Sequence, residues 1–392
     1  MTRNRNVAIV GIGQTPHRAH RQDMSQVEMV NEAVRAALED ARLDLKAVDA
    51  IVHGNMELFE GNFQGDMWHA TGDGAYLKSG LRVTTGGTTG GTLVCAGDHL
   101  VASGIFDIVL LIGWEKHEEG HTTTGITGMA DPLWGRKLQT GAIGALRAAR
   151  MMREYGRRAE LAAAKLRVQI GENASRNPYA HLRTKVTIED VLNSPLLVYP
   201  LRLLHMCPQS NGACALLLAC EEEAKNITKK PVWIKDHVTV HRENFMVPSE
   251  VIVNEDRGEM STMELAARRL YQRNGIVNPL KEIDVFEMYD PHVWMHIEWM
   301  EKFLLLEKGE NIRMIENGAT AIDGVFPINP SGGVVATNPI GATAMIRVAE
   351  VALQIRGDAG EHQIPRDVNI GMASSFGGTG WTILHLLSKH PN

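Results

Sequence analysis

The residues with chemical potential in this chain begin in a glycine-rich run. From Val83 the sequence reads Thr-Thr-Gly-Gly-Thr-Thr-Gly-Gly, then turns apolar and ends in Val-Ala-Ser-Gly104. Such a stretch predicts an extended turn that becomes a buried helix closing at Ser103 and Gly104. The backbone N–H groups around Gly87 to Gly91 then stand where a ligand can approach closely. Gly87, Gly90 and Gly91 are therefore candidate substrate-binding positions. At first sight the run resembles a phosphate cradle without its lysine. It also lacks a nucleophile, because its only hydroxyls between Val83 and Val94 are threonines and it holds no Ser or Cys.

Other reactive residue types are scattered. The four cysteines, Cys95, Cys207, Cys214 and Cys220, have neither the spacing nor the partners of a zinc site or a disulfide framework, so no metal is expected. Cys214 and Cys220 fall in apolar runs and read as core; Cys207, beside Pro208 in a turn, is less easily dismissed. Gly11-Ile-Gly-Gln-Thr-Pro16 imitates a dinucleotide fingerprint but lacks the third glycine, and Pro16 stands where a helix should start, which favours a plain strand-to-loop turn. Arg136, Lys137, Arg147, Arg150, Arg153, Arg157 and Arg158 lie in a stretch that reads as helical. They form either a solvated cap or a platform for the phosphates of a ligand such as coenzyme A.

Composition limits the classes open to the chain. Its 392 residues are 44% hydrophobic, enough for one large core or two ordinary ones. A formal charge of −6 without a basic run argues against nucleic acid as a partner. No apolar signal segment and no run of about 18 apolar residues is present, so neither secretion nor a membrane span is expected, and a reducing cytoplasm is the default.

The positioning elements follow from periodicity. Val7-Ala-Ile-Val reads as a central strand, Val27 to Glu39 as an amphipathic helix entered at Ser25, and Ala50 to His53 as a second strand. The glycine-rich segment feeds a strand at Ile108 to Gly113. Asp131 to Pro200 reads as a mainly helical excursion, and Leu201 to Ala219 as a turn and a buried strand. After a charged link at Ala224 to Pro231 a second series begins: helix Met260 to Tyr271, strand Asp284 to Met288, helix His292 to Leu306, and a helix through Ile355. It closes with the strand Val368 to Met372, a turn from Ser374 to Gly380, and the strand Trp381 to Leu387. The expected domains are 1–224, with an insertion at about 115–200, and 225–392. The halves repeat in architecture though not in residues, an α/β pattern with largely parallel strands.

This pattern resembles the thiolase superfamily, in the branch similar to the thiolase domain of sterol carrier protein. The carriers are the opening Val7 to Thr15, Val83 to Gly104, Gly113-Trp-Glu-Lys116, Asp284-Val-Phe-Glu-Met-Tyr-Asp290, Asn329-Pro-Ser-Gly-Gly333, Asn338-Pro-Ile-Gly-Ala-Thr343 and the closing Gly-Gly-Thr-Gly380. The resemblance runs nearly end to end. It implies the thiolase fold: two β-α-β-α-β-α-β-β halves in a five-layered α-β-α-β-α arrangement, with a helical loop-domain insertion. It also implies a homodimer, and a coenzyme A thioester as substrate with no covalently bound cofactor. Ser331, Gly332 and Gly378 enter the expected substrate-binding set through these motifs.

The catalytic residues of the family do not carry over. Its nucleophilic cysteine falls on Gly87, its second-half histidine before Asp on Tyr289, and the histidine of its Gly-His-Pro motif on Asn338. Ser374 and Ser375 stand near the place of its closing Cys or His. Cys95 lies about two turns further along the helix, out of reach of the tip. Without the nucleophile no acyl-enzyme can form, but a β-hydroxyacyl thioester needs none. Loss of its hydroxyl proton lets the carbon–carbon bond break by a retro-aldol reaction. Tyr289 is then the candidate acid/base, Asn338 the donor to the thioester oxygen, and His292 a candidate on the same helix face, with His296 beyond it.

Glycine for cysteine with tyrosine for histidine resembles the thiolase-fold aldolases of steroid side-chain degradation. That resemblance implies a small zinc-ribbon/OB-fold partner protein. Three readings result: a retro-aldolase of β-hydroxyacyl-CoA, a thiolase or acyltransferase working by direct attack of coenzyme A or through Cys207, and a non-catalytic acyl-CoA-binding subunit.

Overall fold

Strand β1 (Val7–Gln14) is buried along its whole length. Its two glycines are there for packing. A Cβ at Gly11 would come within 2.5 Å of the Ala37 carbonyl oxygen of helix α1 (Gln26–Ala41), and one at Gly13 would overlap the Ala33 carbonyl. The run that imitates a nucleotide fingerprint is thus a strand that lets a helix lie close. Helix α1 starts where Ser25 and Glu28 form a reciprocal capping box, the side chain of each accepting from the other's N–H.

The computed structural model describes residues 5–56, 72–120, 140–241, 260–377 and 380–391, with backbone alone for 140–143. After α1 come β2 (Ala50–Gly54), β3 (Ser79–Arg82), α2 (Thr89–Ala102) and β4 (Ile108–Glu115). Helices α3 (Thr140–Tyr155) and α4 (Arg157–Arg176) form the described part of the excursion. It ends in a small hairpin, β5 (Leu196–Val198) and β6 (Leu201–Arg202), before β7 (Gly212–Cys220). The second series is β8 (Val232–Val240), α5 (Thr262–Asn274), β9 (Val285–Glu287), α6 (Val293–Lys302), α7 (Ile340–Arg356), β10 (Ile370–Gly377) and β11 (Trp381–Ser388).

The hydrogen-bonded strand order is β3-β2-β4-β7-β1-β8-β11-β10-β9. In the first half β2 is parallel to β3 and β4, and β7 runs antiparallel to β4 and β1. The second half mirrors this: β11 is antiparallel to β8 and β10, and β9 is parallel to β10. The halves join where Ala8 opposes Trp233 and Ile9 opposes Val232. Where β3 stands in the first half, the second has a parallel bridge between Phe286 and Ile328. Strand β3 itself, short and polar at its ends, escapes the sequence reading.

Helices α2 and α7 pack on each other between the two half-sheets. Leu93, Val94, Val101, Met345 and Val348 share one core cluster with Val109 of β4 and Ala373 of β10. A Cβ at Gly90 would overlap the Met345 backbone, so this glycine sets how closely the two central helices meet. Helix α1 covers the first half and α5 the second, which completes five layers. Arg147 and Arg150 of α3 both bind Glu298, and Arg158 of α4 pairs with Glu316 at 2.6 Å. These cations tie the excursion to the second half and are committed to protein carboxylates. Among the described residues no helix is long and apolar enough to cross a membrane.

Candidate active site

The turn before α2 makes its own framework. Thr88 Oγ1 donates to the Thr85 carbonyl at 2.6 Å and Thr89 Oγ1 to the Gly86 carbonyl at 2.7 Å; Thr89 Oγ1 also accepts from the Thr85 N–H at 3.0 Å. The threonines hold the loop closed, which is why hydroxyl residues recur there. Gly87 is buried at its tip. A Cβ added to it would stand 2.5 Å from the Phe376 carbonyl oxygen and 3.3 Å from the Tyr289 Oη. The phenol thus occupies the neighbourhood into which a side chain at 87 would point.

Tyr289 follows β9 and is held by its backbone. Its N–H donates to Ser374 Oγ at 2.9 Å. On one side, Asn329 (φ 52°) accepts from the Met288 N–H at 2.6 Å and donates to the Met288 carbonyl at 3.1 Å. On the other side, Asp290 accepts from the Val334 N–H at 2.7 Å and pairs with His296 at 2.8 Å, both side chains fully buried. The backbone that carries the phenol is therefore fixed before any ligand arrives. Burial, reinforced by the neighbouring Cys207, pushes its pKa far above the ordinary tyrosine value.

Asn338 is oriented by Thr343, whose hydroxyl donates to its Oδ1 at 2.8 Å; its Nδ2 donates to Cys207 Sγ at 3.2 Å. The Asn338 N–H donates to Ser210 Oγ at 3.0 Å, and His117 Nε2 lies 3.3 Å from its carbonyl oxygen. Just beyond, the Glu115 carboxylate accepts from the Gly341 N–H at 2.8 Å, at the start of α7, and from the Met56 N–H at 3.1 Å. Glu115 and His117, at the end of an apolar strand, thus anchor the Asn338 loop, and polarity at a buried strand end was the signal for it. Cys207 is half-buried and packs beside Tyr289, with Phe376 on the same cluster. Burial pushes its thiol up to about 12, the Asn338 hydrogen bond notwithstanding, so it is a thiol near neutrality.

Gly87, Tyr289, Cys207, Asn338 and the Phe376 carbonyl therefore gather at one place. Other expected residues lie elsewhere. His292 does not share a helix face with Tyr289, because α6 begins only at Val293 and His292 is its N-cap, with Nδ1 accepting from the Met295 N–H. Burial lowers its pKa to about 3. Ser331 is buried in an ion network, donating to Glu287 at 2.8 Å and contacted by Arg347. Gly332 (φ 97°) packs against α4, where an added Cβ would stand only 2.6 Å from the Ala174 Cβ. A Cβ at Gly91 would overlap Ser375 Oγ and lie 3.3 Å from His385 Nε2. Gly378 lies outside the described residues. Ser374 and Ser375 belong to strand β10, not to a turn: the ladder with β11 continues to Gly377 opposite Trp381, so alternate serines face opposite ways.

Residues 248–388 match the family described as thiolase C-terminal domain-like. The acetyl-CoA acetyltransferase of Methanothermobacter thermautotrophicus is 35% identical over 397 residues, covering 98% of this chain and 100% of its own. The benzoylsuccinyl-CoA thiolase subunit BbsB of Thauera aromatica is 27% identical, covering 96% of each chain. Among solved structures, the Ltp2-ChsH2(DUF35) aldolase superposes with a TM-score of 0.82 at 25% identity, covering 99% of both chains.

Proposed function

From a chain that belongs to the thiolase superfamily, in its sterol-carrier-protein-type branch, we propose retro-aldol chemistry: cleavage of a β-hydroxyacyl-CoA into a ketone or aldehyde and a shorter acyl-CoA. The observation that carries this reading is the pairing at the turn. Where a nucleophile would stand there is a glycine, and the nearest side-chain atom to its Cβ direction is the Tyr289 Oη.

The bond changes balance on that one phenol. As the Cα–Cβ bond breaks, its electron pair moves to Cα and the thioester oxygen. The β-hydroxyl loses its proton to the Tyr289 oxygen and becomes the carbonyl of the departing product, while Tyr289 gives its own proton to Cα. No group has to ionise beforehand, which agrees with a phenol that burial keeps protonated. Asn338 has one amide hydrogen on Cys207 and a second for the enolate oxygen. Such a donor is typically worth about 3–4 kcal/mol in the transition state. His292 enters as support for the start of α6 rather than as a proton carrier.

The acyltransferase reading rests on a different observation, the Cys207 thiol in the same pocket, and on the kinship with acetyl-CoA acetyltransferases. One experiment separates the two. The protein is given a β-hydroxyacyl-CoA alone and, separately, a β-ketoacyl-CoA with free coenzyme A, as wild type and as Cys207→Ala. Retro-aldol function requires cleavage of the first substrate without free coenzyme A, largely retained in the variant. Cleavage of only the second, abolished in Cys207→Ala, would overturn it.

A homodimer and a small zinc-ribbon/OB-fold partner belong to the same proposal. A partner is supported by a similar structure that is an Ltp2-ChsH2(DUF35) aldolase and by a relative that is a subunit. A steroid or other lipid acyl group and a cytoplasmic setting complete it.

A further inference from the structure

Further along α2 than the Tyr289 pocket, three metal-binding side chains converge. Asp98 and His99 come from α2 and His237 from β8, and one ligand atom of each lies within 4.8 Å of the other two. His237 Nε2 is 3.1 Å from Asp98 Oδ2. The His99 and His237 rings meet edge to face with centroids 4.9 Å apart. Donors at about 2.0–2.1 Å from a tetrahedral ion stand about 3.3 Å from one another, so this cluster needs only small rotamer adjustments to close on one.

Two imidazoles and a carboxylate suit a borderline divalent cation better than magnesium or calcium, which prefer all-oxygen sets. The second nitrogen of His237 is also provided for: Nδ1 is 3.5 Å from Cys95 Sγ. A metal-bound histidine needs an outer partner to fix its ring, and Cys95 is placed to be one. The burial is graded, with Asp98 buried, His237 mostly so and His99 exposed.

We propose that Asp98, His99 and His237 form a zinc-type divalent-metal site that clasps helix α2 of the first half to strand β8 of the second. The site is structural. Cys95, Asp98 and His99 lie along α2 beyond its first turn, whereas the pocket is at its tip, and His237 on β8 makes the clasp bridge elements separated by the whole excursion. The cysteine spacing gave no sign of it, because its third ligand arrives from a strand remote in sequence.

The test uses the full chain, stripped with a chelator and titrated with Zn2+ by calorimetry and with Co2+ by visible absorption. We expect one equivalent of Zn2+, a Co2+ spectrum of a low-symmetry four-coordinate site, and a higher Tm with metal. His99→Ala, at an exposed position, and His237→Ala should each lose at least about 100-fold in affinity, while His20→Ala, on a distant surface, binds as wild type. Equal Zn2+ affinity and equal metal-induced Tm shifts in wild type and His99→Ala would overturn the site. So would no uptake by a wild-type chain that is folded by circular dichroism.

Discussion

Replacing Gly87 by alanine tests the pocket with one methyl group. An ordinary contact at Cβ begins at 3.4 Å, and the Phe376 carbonyl oxygen stands at 2.5 Å, so the turn or strand β10 must yield about 0.9 Å. The oxygen is backbone, and Phe376 is paired with Thr382 in the β10·β11 ladder, so it cannot swing aside as a side chain would. Overpacking of this kind costs about 1–3 kcal/mol of stability. A displacement near 1 Å between reacting groups costs about 100-fold in rate, and the new methyl also presses on the Tyr289 hydroxyl. Gly87→Ala should therefore lower the urea midpoint and reduce product release from β-hydroxyacyl-CoA by about 100-fold, with substrate binding weakened much less. Gly87→Cys should do the same and should form no acyl-enzyme detectable by mass spectrometry when given β-ketoacyl-CoA. Wild-type turnover and stability in Gly87→Ala would refute the close approach. A stable acyl-enzyme in Gly87→Cys would refute the claim that Tyr289 and Phe376 fill the nucleophile's place.

Tyr289→Phe should cut turnover by about 10²–10⁴-fold while the far-ultraviolet spectrum is unchanged; a rate within threefold of wild type would remove the phenol from the reaction. Asn338→Ala should lower kcat by several hundredfold, the equivalent of about 3–4 kcal/mol, with little change in KM, whereas a change confined to KM would make the amide a binding group only. Acid should unfold the protein steeply, because burial lowers His17, His292 and His385 to about 3 and His117 and His205 to about 4. The unfolded chain takes up these protons below about pH 6.5 and the folded chain does not. Stability is therefore intact above that pH and falls as pH drops toward 4, by up to about 1.4 kcal/mol per pH unit for each histidine. His237 and His362 move the other way, but between pH 4 and 6.5 they are protonated in both states and add no slope. A urea midpoint that is the same at pH 6 and pH 5 would contradict this.

The sequence by itself determined most of the elements and their order along the chain. Apolar runs such as Val7-Ala-Ile-Val and Ile108 to Gly113 read as strands covered on both faces, and Ser25 as a helix start, because these signals depend on neighbours a few residues away. The glycine at 87, with no nucleophile around it, was equally legible, and so was the kinship with thiolases. The meaning of single polar residues was decided by tertiary structure. Tyr289, His292 and His296 seemed able to share a helix face, yet Asn329, Ser374 and the Val334 N–H hold residues 288–290 outside the helix, which begins only at Val293, and each of those partners comes from another segment. Ser331 looked like a ligand residue and is instead enclosed with Glu287 and Arg347. His237 looked like nothing at all until β8 came to rest beside α2. Local pattern determines elements because backbone hydrogen bonds and burial act at short range; the partners of a buried polar group are set only when distant segments meet.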